Sequence, residues 1–184
     1  IHELRDGLGA LDPDLVFLQE VQGLNDRFAL RFAAWPGAQH EFLAGERWRH
    51  VYARNAVYDH GHHGNAILSR FPFVSFENED VSDHRFERRG LLHSVVSVPG
   101  WGRNLHCVCV HLSLHERGRS RQLEAISGRL EELASRDLPI IVISAKELTD
   151  AEAKMLRKSV TFVMQKQGFD GEKLVREINT ALAK

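Results

Sequence analysis

The architecture of this chain follows from residues 12–21, which read Asp-Pro-Asp-Leu-Val-Phe-Leu-Gln-Glu-Val. A helical apolar pattern ends at Asp12-Pro13, because proline donates no amide hydrogen and disfavours helical angles in the residue before it. Leu15 to Leu18 form a short apolar run that is typical of a buried strand. We therefore expect a buried strand whose carboxyl end presents the carboxylate of Glu20.

Hydrophobic periodicity along the rest of the chain predicts an α/β protein. Helices are expected over residues 1–11, 24–34 and 120–135, and strands over 65–69, 91–98 and 105–112. The two later strands should pair antiparallel across a turn-rich link. Strands with a loop are expected over residues 40–60, and a polar connection over residues 77–89.

The last part of the chain, residues 138–184, has the order strand, helix, strand, helix. Leu138 to Ser144 is a nearly continuous aliphatic run, which suits a parallel strand buried on both faces. Thr149 with Glu152 forms a capping-box pattern, which predicts a helix start. The whole chain is expected to form one compact domain, in which helices and a mixed sheet make a layered α/β sandwich.

Composition argues against several kinds of partner. A formal net charge of −1 carries no nucleic-acid or membrane signature. No apolar run approaches the roughly 18 to 20 residues that span a bilayer, so no membrane span is expected. The chain opens on Ile1 rather than on an initiating methionine, and we expect it to be cut from something longer.

Cys107 and Cys109 lie two positions apart in a predicted strand, so their side chains point to the same face. A disulfide across that spacing would be strained, since the α carbons would be about 6.5 to 7 Å apart. A metal pair would need further ligands and a turn. We interpret both as small buried side chains in a reducing, cytoplasmic compartment.

Four motifs, in order over residues 1–143, resemble the endonuclease/exonuclease/phosphatase superfamily. They are the stretch 12–21 quoted above, Gly-Asn-Ala-Ile-Leu-Ser-Arg-Phe-Pro at 64–72, Val-Cys-Val-His-Leu at 108–112, and Arg121-Gln122. The resemblance implies phosphoester hydrolysis with a hard divalent cation, usually Mg²⁺. It makes Glu20 the metal ligand and His111 a donor, in its protonated form, to a phosphate oxygen. Asn65 is expected to face the same cleft.

The chain departs from the family pattern at positions that matter for turnover. The family has Gly-Asp-x-Asn after the strand that begins at Leu138, where this chain reads Ile143-Ser144-Ala145-Lys146. The family's first-strand asparagine and its final Asp-His pair also have no counterpart here. Because losing one member of a catalytic unit costs orders of magnitude in rate, we expect a truncated or recombinant derivative with little or no activity.

The tail differs in composition from the rest of the chain and resembles another family. Every lysine lies after residue 145, and all 11 histidines lie before residue 116. Residues 138–184 resemble the end of a flavodoxin-like response-regulator receiver, which implies phosphate contacts for Ser144 and Lys166. The receiver's acidic residues belong to earlier strands that this chain lacks, so phosphotransfer is not expected. We interpret the chain as a chimera joined near residue 137.

Alternatives remain open at this point. The chain could be a chimeric structural protein with no chemistry, or a receiver-like signalling fragment. An exposed sheet edge would favour self-association. The run from His60 to Gly64 predicts a loop that shapes the cleft rather than a metal cluster. Arg85, Arg88 and Arg89 predict an exposed basic loop, with phosphate contact as the alternative.

Overall fold

The computed structural model describes residues 1–134, 140–144, 148–158, 160–165 and 171–182. The chain divides into two compact units, Ile1–Ser113 and Leu114–Lys184. The single compact domain with a junction at residue 137 stays a prediction.

The first unit contains nine helices and strands of the described chain. In order they are α1 (His2–Leu11), β1 (Leu15–Asn25), α2 (Asp26–Arg31), α3 (Gln39–Ala44), β2 (Arg49–Tyr58), β3 (Gly61–Ser69), β4 (Phe73–Asp80), β5 (Gly90–Val96) and β6 (Leu105–Val110). The strands form two antiparallel sheets, ordered β1-β3-β2 and β4-β5-β6. The predicted antiparallel pair is confirmed as β5 and β6, and the predicted first helix as α1.

Two hydrophobic cores hold this unit together. One core joins the sheets, with side chains from β2, β3, β5 and β6: Val51, Ala53, Ile67, Leu92, Val96, Cys107 and Cys109. The other lies on the outer face of the first sheet, where Leu43, Ala44 and Trp48 pack against Leu68. Apolar side chains on both faces of β3 explain its long buried run. The layered α/β class is confirmed.

Three local predictions were wrong in this unit. The polar connection expected over 77–89 begins instead as β4, whose side chains are nearly all exposed, so its sequence shows no alternation. Helix α3 was missed because its six residues are too few to show a helical period. Strand β3 starts at Gly61 rather than at Asn65, so His62 and His63 of the histidine run lie in a strand and not in a loop.

The second unit contains α4 (Glu116–Ala134), β7 (Ile141–Ser144), α5 (Asp150–Leu156), β8 (Phe162–Gln165) and α6 (Gly171–Leu182). Strands β7 and β8 pair in parallel, as the strand, helix, strand, helix order predicts. The capping box is also confirmed: Thr149 accepts from the Glu152 amide, and the Glu152 carboxylate accepts from the Thr149 amide. Within the described ranges, no helix combines the length and the apolar character needed to cross a membrane.

Both cysteines are free and buried, which confirms the prediction of unpaired thiols. They lie on the inner face of β6, and Cys109 Sγ donates to the carbonyl oxygen of Leu18 at 3.5 Å. Burial raises the pKa of each thiol to about 12. The thiolate, which is the reactive form, is therefore nearly absent at neutral pH.

We expect both thiols to resist alkylation in the native protein. Because the pKa of each thiol rises from 9.0 to about 12, the thiolate population at pH 8 falls by about three orders of magnitude, and the alkylation rate with it. Iodoacetamide labelling followed by mass spectrometry measures this, with the chain in concentrated urea as the fully reactive control. Native labelling at the unfolded rate would contradict the burial of both thiols.

Candidate active site

Glu20 lies at a β-bulge near the middle of β1. The pairing of β1 with β3 shifts register between Leu18 and Val21, and Glu20 has the left-handed backbone angle φ 54°. That conformation costs a residue with a β carbon roughly 1–2 kcal/mol. Bulges redirect side chains out of the regular alternation and are common beside functional sites. The bulge turns the Glu20 carboxylate into a small cleft that β2, β3 and the segments before β5 and after β6 also line.

The cleft gathers polar side chains from five segments of the first unit. Its lining consists of Glu20, Asn55, His63, Gly64, Asn65, Arg88, Arg89 and His111. The three residues that the sequence predicts for the site therefore come together within the structure. The elements that supply them are the β1 bulge, the middle of β3 and the residue after β6.

His111 and Glu20 lie side by side in the cleft. His111 Nδ1 is 3.2 Å from Glu20 Oε1, yet the two groups are not aligned for a hydrogen bond. The buried Nδ1 has no hydrogen-bond partner within the described part of the chain. Burial, and then the positive charge of Arg89, lower the pKa of His111 below its ordinary value, although Glu20 acts in the opposite direction. The shift favours the neutral imidazole, and the protonated form expected from the sequence stays a prediction.

Arg89 is the residue that sequence reasoning misplaced. Its side chain is only 13% exposed, so an exposed loop is wrong for this position, although Arg88 is half exposed and pairs with Asp80. Arg89 Nη1 lies 3.8 Å from Glu20 Oε1, and Nη2 lies 3.1 Å from Glu87 Oε1. The Glu87 carboxylate also accepts from Ser113 Oγ at 2.7 Å.

The guanidinium of Arg89 keeps unused donor capacity. Its Nε is buried and makes no hydrogen bond to any described residue. A planar guanidinium anchored on one edge can offer its remaining donors to a tetrahedral anion. The sequence signal for this position was weak, because nothing in the sequence distinguishes Arg89 from Arg85 and Arg88. Only the contact with Glu20, which is distant along the chain, distinguishes it.

Asn65 links the two sheets through hydrogen bonds beside the cleft. It is 1% exposed, and its Nδ2 donates to the carbonyl oxygens of Gly90 at 2.9 Å and Cys109 at 3.2 Å. Both amide hydrogens are thus committed to the protein backbone. The geometry gives Asn65 a structural task beside the cleft, and its predicted catalytic role stays a prediction.

The histidine run is divided between the two faces of β3. His63 lines the cleft, whereas His62 Nδ1 lies 3.0 Å from the Tyr52 hydroxyl on the other face of the sheet. The expected shaping of the cleft by this segment holds for His63, although from a strand. Of the receiver-like positions, Ser144 ends β7 with a side chain that lies outside the described structure, and Lys166 lies outside the described residues.

The cleft has the donor chemistry for one hard cation. Among the described residues that line it, Glu20 supplies the carboxylate, and Mg²⁺ is commonly held by one or two carboxylates with water and substrate phosphate completing the shell. The side chain of Glu20 is 55% exposed, which leaves room for those further ligands.

Comparisons with known proteins agree with this architecture. The "Uncharacterized protein YbhP" of Escherichia coli (strain K12) is 43% identical over 142 residues, which cover 76% of this chain and 56% of that protein. The chain thus spans about half the length of the curated relatives it matches. The human Nocturnin catalytic domain with bound sulfate anion superposes with a TM-score of 0.54 at 18% identity, covering 74% of this chain and 53% of Nocturnin.

A second solved structure shows the same fold. TDP2 of D. rerio, complexed with single strand DNA product, has a TM-score of 0.53 at 18% identity and covers 85% of this chain and 56% of its own. At these sequence identities the two structures provide evidence for the fold alone. The sequence model of the Endonuclease/Exonuclease/phosphatase family matches residues 1–143. Because that region takes in both sheets and every residue of the cleft, the chain belongs to the Endonuclease/Exonuclease/phosphatase family.

Proposed function

We propose that the cleft binds a divalent cation together with a phosphoester, and that this chain is a derivative of a metal-dependent phosphoester hydrolase with little or no turnover. One observation carries the proposal: a half-exposed carboxylate, Glu20, lies 3.2 Å from His111 Nδ1 and 3.8 Å from Arg89 Nη1. A carboxylate suits a hard cation, and the two nitrogen groups suit an anion beside it.

Each of the three side chains has a distinct task in this proposal. Glu20 would hold Mg²⁺, which neutralises charge on phosphoryl oxygens when bound. Arg89 is held in place by Glu87 and directs its free donors at a phosphate oxygen. His111 binds a non-bridging oxygen as a neutral hydrogen-bond donor, and an anion placed beside it would increase its affinity for a second proton.

Slow turnover follows from the sequence after β7. Where the family pattern has Gly-Asp-x-Asn, this chain has Ile143-Ser144-Ala145-Lys146, so a carboxylate that would activate the attacking water is replaced. Binding and hydrolysis are therefore separable here. The substrate class remains within phosphoesters; nucleic acid is the ligand in the TDP2 structure, whereas the net charge of −1 does not favour it.

A chimeric origin for residues 138–184 is our second candidate. The parallel pairing of β7 with β8, with α5 between them and α6 after them, supports a receiver-like strand and helix order. In that case Ser144 and Lys166 are inherited phosphate positions that carry out no phosphotransfer, and residues 138–184 have only a structural role.

Two further properties are proposed for this protein. The free thiols support a cytoplasmic location, and self-association would use an exposed sheet edge.

We expect Glu20→Gln to weaken Mg²⁺ binding by at least about tenfold, because the amide keeps the shape of the side chain but not its charge. Mg²⁺ titration followed by ¹H–¹⁵N NMR measures this, with shifts expected around Glu20 and His111. Glu79→Gln, an exposed glutamate on β4, is the matched control and should leave the titration unchanged.

Two results would contradict the proposal in different ways. Equal Mg²⁺ affinity in the wild type and in Glu20→Gln would show that Glu20 does not bind the metal ion. Rapid Mg²⁺-dependent hydrolysis of bis(4-nitrophenyl) phosphate that is lost in Glu20→Gln would support the metal site but contradict the proposed slow turnover.

A further inference from the structure

A second group of histidines lies on the opposite face of the β1-β3-β2 sheet. In the pairing of β2 with β3, His50 lies opposite Leu68 and Tyr52 opposite Ala66, whereas Ala53 lies opposite Asn65. Side chains alternate between the two faces of a strand, so His50 and Tyr52 share the face of Leu68, which α3 covers. Asn65 and the cleft lie on the other face.

We propose that His40, Glu41 and His50 form a binding site for a divalent transition-metal ion of the Zn²⁺ type, separate from the Glu20 cleft. Each residue offers one ligand atom, and these three atoms all lie within 4.8 Å of one another. Two imidazoles with one carboxylate are a donor set that favours Zn²⁺ or a similar borderline ion over Mg²⁺, which prefers oxygen.

The burial and fixed orientation of His40 are a second observation, independent of the distances among the three ligand atoms. Its residue is 6% exposed, and its Nδ1 is buried without a hydrogen-bond partner in the described structure. The ring stacks flat on Tyr52, with centroids 4.2 Å apart and planes 4° apart, which holds it in one orientation. A buried polar atom left unpaired costs about 1–3 kcal/mol, and such atoms call for a functional explanation.

The surroundings of His40 favour ligation. Burial, and then the nearby His50, lower the pKa of His40 to about 4. His40 Nε2 is 3.9 Å from Glu41 Oε1, and the rings of His40 and His50 lie edge to face with centroids 5.1 Å apart.

The site would join two elements and remain open to solvent. His40 and Glu41 belong to α3, and His50 belongs to β2. Glu41 and His50 are exposed, so an ion can enter directly and water can complete its shell. Metal binding should therefore hold α3 against the sheet and raise the melting temperature of the protein.

Zn²⁺ titration of the metal-free, untagged chain tests this proposal, with calorimetry for affinity and the visible absorption of Co²⁺ for the nitrogen ligands. We expect His50→Gln to weaken Zn²⁺ binding by at least about tenfold. Glu20→Gln should retain this site. His84→Gln is the matched control, because His84 is exposed and lies 3.8 Å from a single carboxylate, that of Glu87.

His50 is the position to change because it is exposed, so its replacement should leave the fold intact, and a melting curve without metal verifies that. Three results would overturn the proposal. They are the absence of Zn²⁺ binding to the wild type, equal affinity in His50→Gln, and loss of the ion in Glu20→Gln, which would assign it to the cleft. The first two outcomes leave Mg²⁺ binding at Glu20 untouched, and the third places the ion in the cleft, so each result distinguishes failure of this proposal from failure of the cleft proposal.

Discussion

Gly64→Ala is expected to lower the free energy of unfolding by about 3 kcal/mol, because the added methyl group meets backbone that cannot turn away. A β carbon built at Gly64 would lie 1.7 Å from the carbonyl oxygen of Ala53. Gly64 occupies the central strand of the first sheet, paired with Val21 on one side and Arg54 on the other. Relief of the clash requires β2 and β3 to separate, which breaks ladder hydrogen bonds.

Urea unfolding followed by circular dichroism measures the loss. Gly7→Ala is the matched control, since Gly7 lies in α1 with nothing within 4 Å of a β carbon. There the same methyl group should stabilise the protein by up to about 1 kcal/mol, because alanine favours a helix more than glycine does. Similar unfolding midpoints for Gly64→Ala and the wild type would show that the sheet is not packed as described.

Arg119→Met is expected to cost about 3–5 kcal/mol of stability, the largest effect in the second unit. Arg119 on α4 and Glu152 on α5 form an ion pair in which the side chains are 6% and 4% exposed. Methionine fills similar space but leaves the Glu152 carboxylate buried without its cation. The Thr149 amide, which donates to the Glu152 carboxylate at 2.8 Å, serves the helix cap and cannot neutralise the charge.

The pH dependence of that loss is a further signature. Burial alone would raise the pKa of Glu152, but hydrogen bonds from Thr149 and Arg119 outweigh it and hold the pKa below its ordinary value of 4.5. A carboxyl group with a depressed pKa stabilises the native state above its ordinary pKa, and this stabilisation is lost as pH falls through the depressed value. The difference between the wild type and Arg119→Met should therefore be largest near pH 7 and disappear as the pH falls through the depressed pKa of Glu152 in the wild type.

Arg129→Met is the matched control for this pair. Arg129 lies on the same helix and pairs with Glu132 three residues on, where the carboxylate is 49% exposed. Solvent screening makes such surface pairs worth about 0.2–1 kcal/mol. Equal losses for Arg119→Met and Arg129→Met in urea unfolding would contradict a special role for the buried pair.

Several features of the fold were accessible to one-dimensional reasoning because their causes are local. Helix α1, the β5 and β6 pair and the Thr149 capping box follow from residue spacing and from turn or cap chemistry within a few positions. Strand β4 and helix α3 escaped detection for equally physical reasons. Strand β4 is stabilised by backbone pairing with little side-chain burial, and α3 is shorter than two helical turns.

The candidate site likewise has some features that the sequence predicted and others that only the tertiary structure revealed. Motif order pointed to Glu20, His111 and Asn65, and the structure brings them to one cleft, while their roles await the experiments above. Arg89 could not be separated from its neighbouring arginines, because its burial depends on Glu20, which belongs to β1, as well as on the nearby Glu87. The same holds for the lowered pKa of His111, which is set by burial and by charges distant along the chain.

Sequence alone was sufficient for the family and the layered α/β class, because periodicity and short motifs lie within continuous segments, and it pointed to Glu20 as the candidate carboxylate. The direction in which that carboxylate points, the burial of Arg89 and the separation of His62 from His63 onto opposite faces of β3 required the folded chain. Each of these depends on strand register, on a bulge or on partners dozens of residues away. Such pairings arise only when the sheets assemble, since no local pattern records which distant groups will meet.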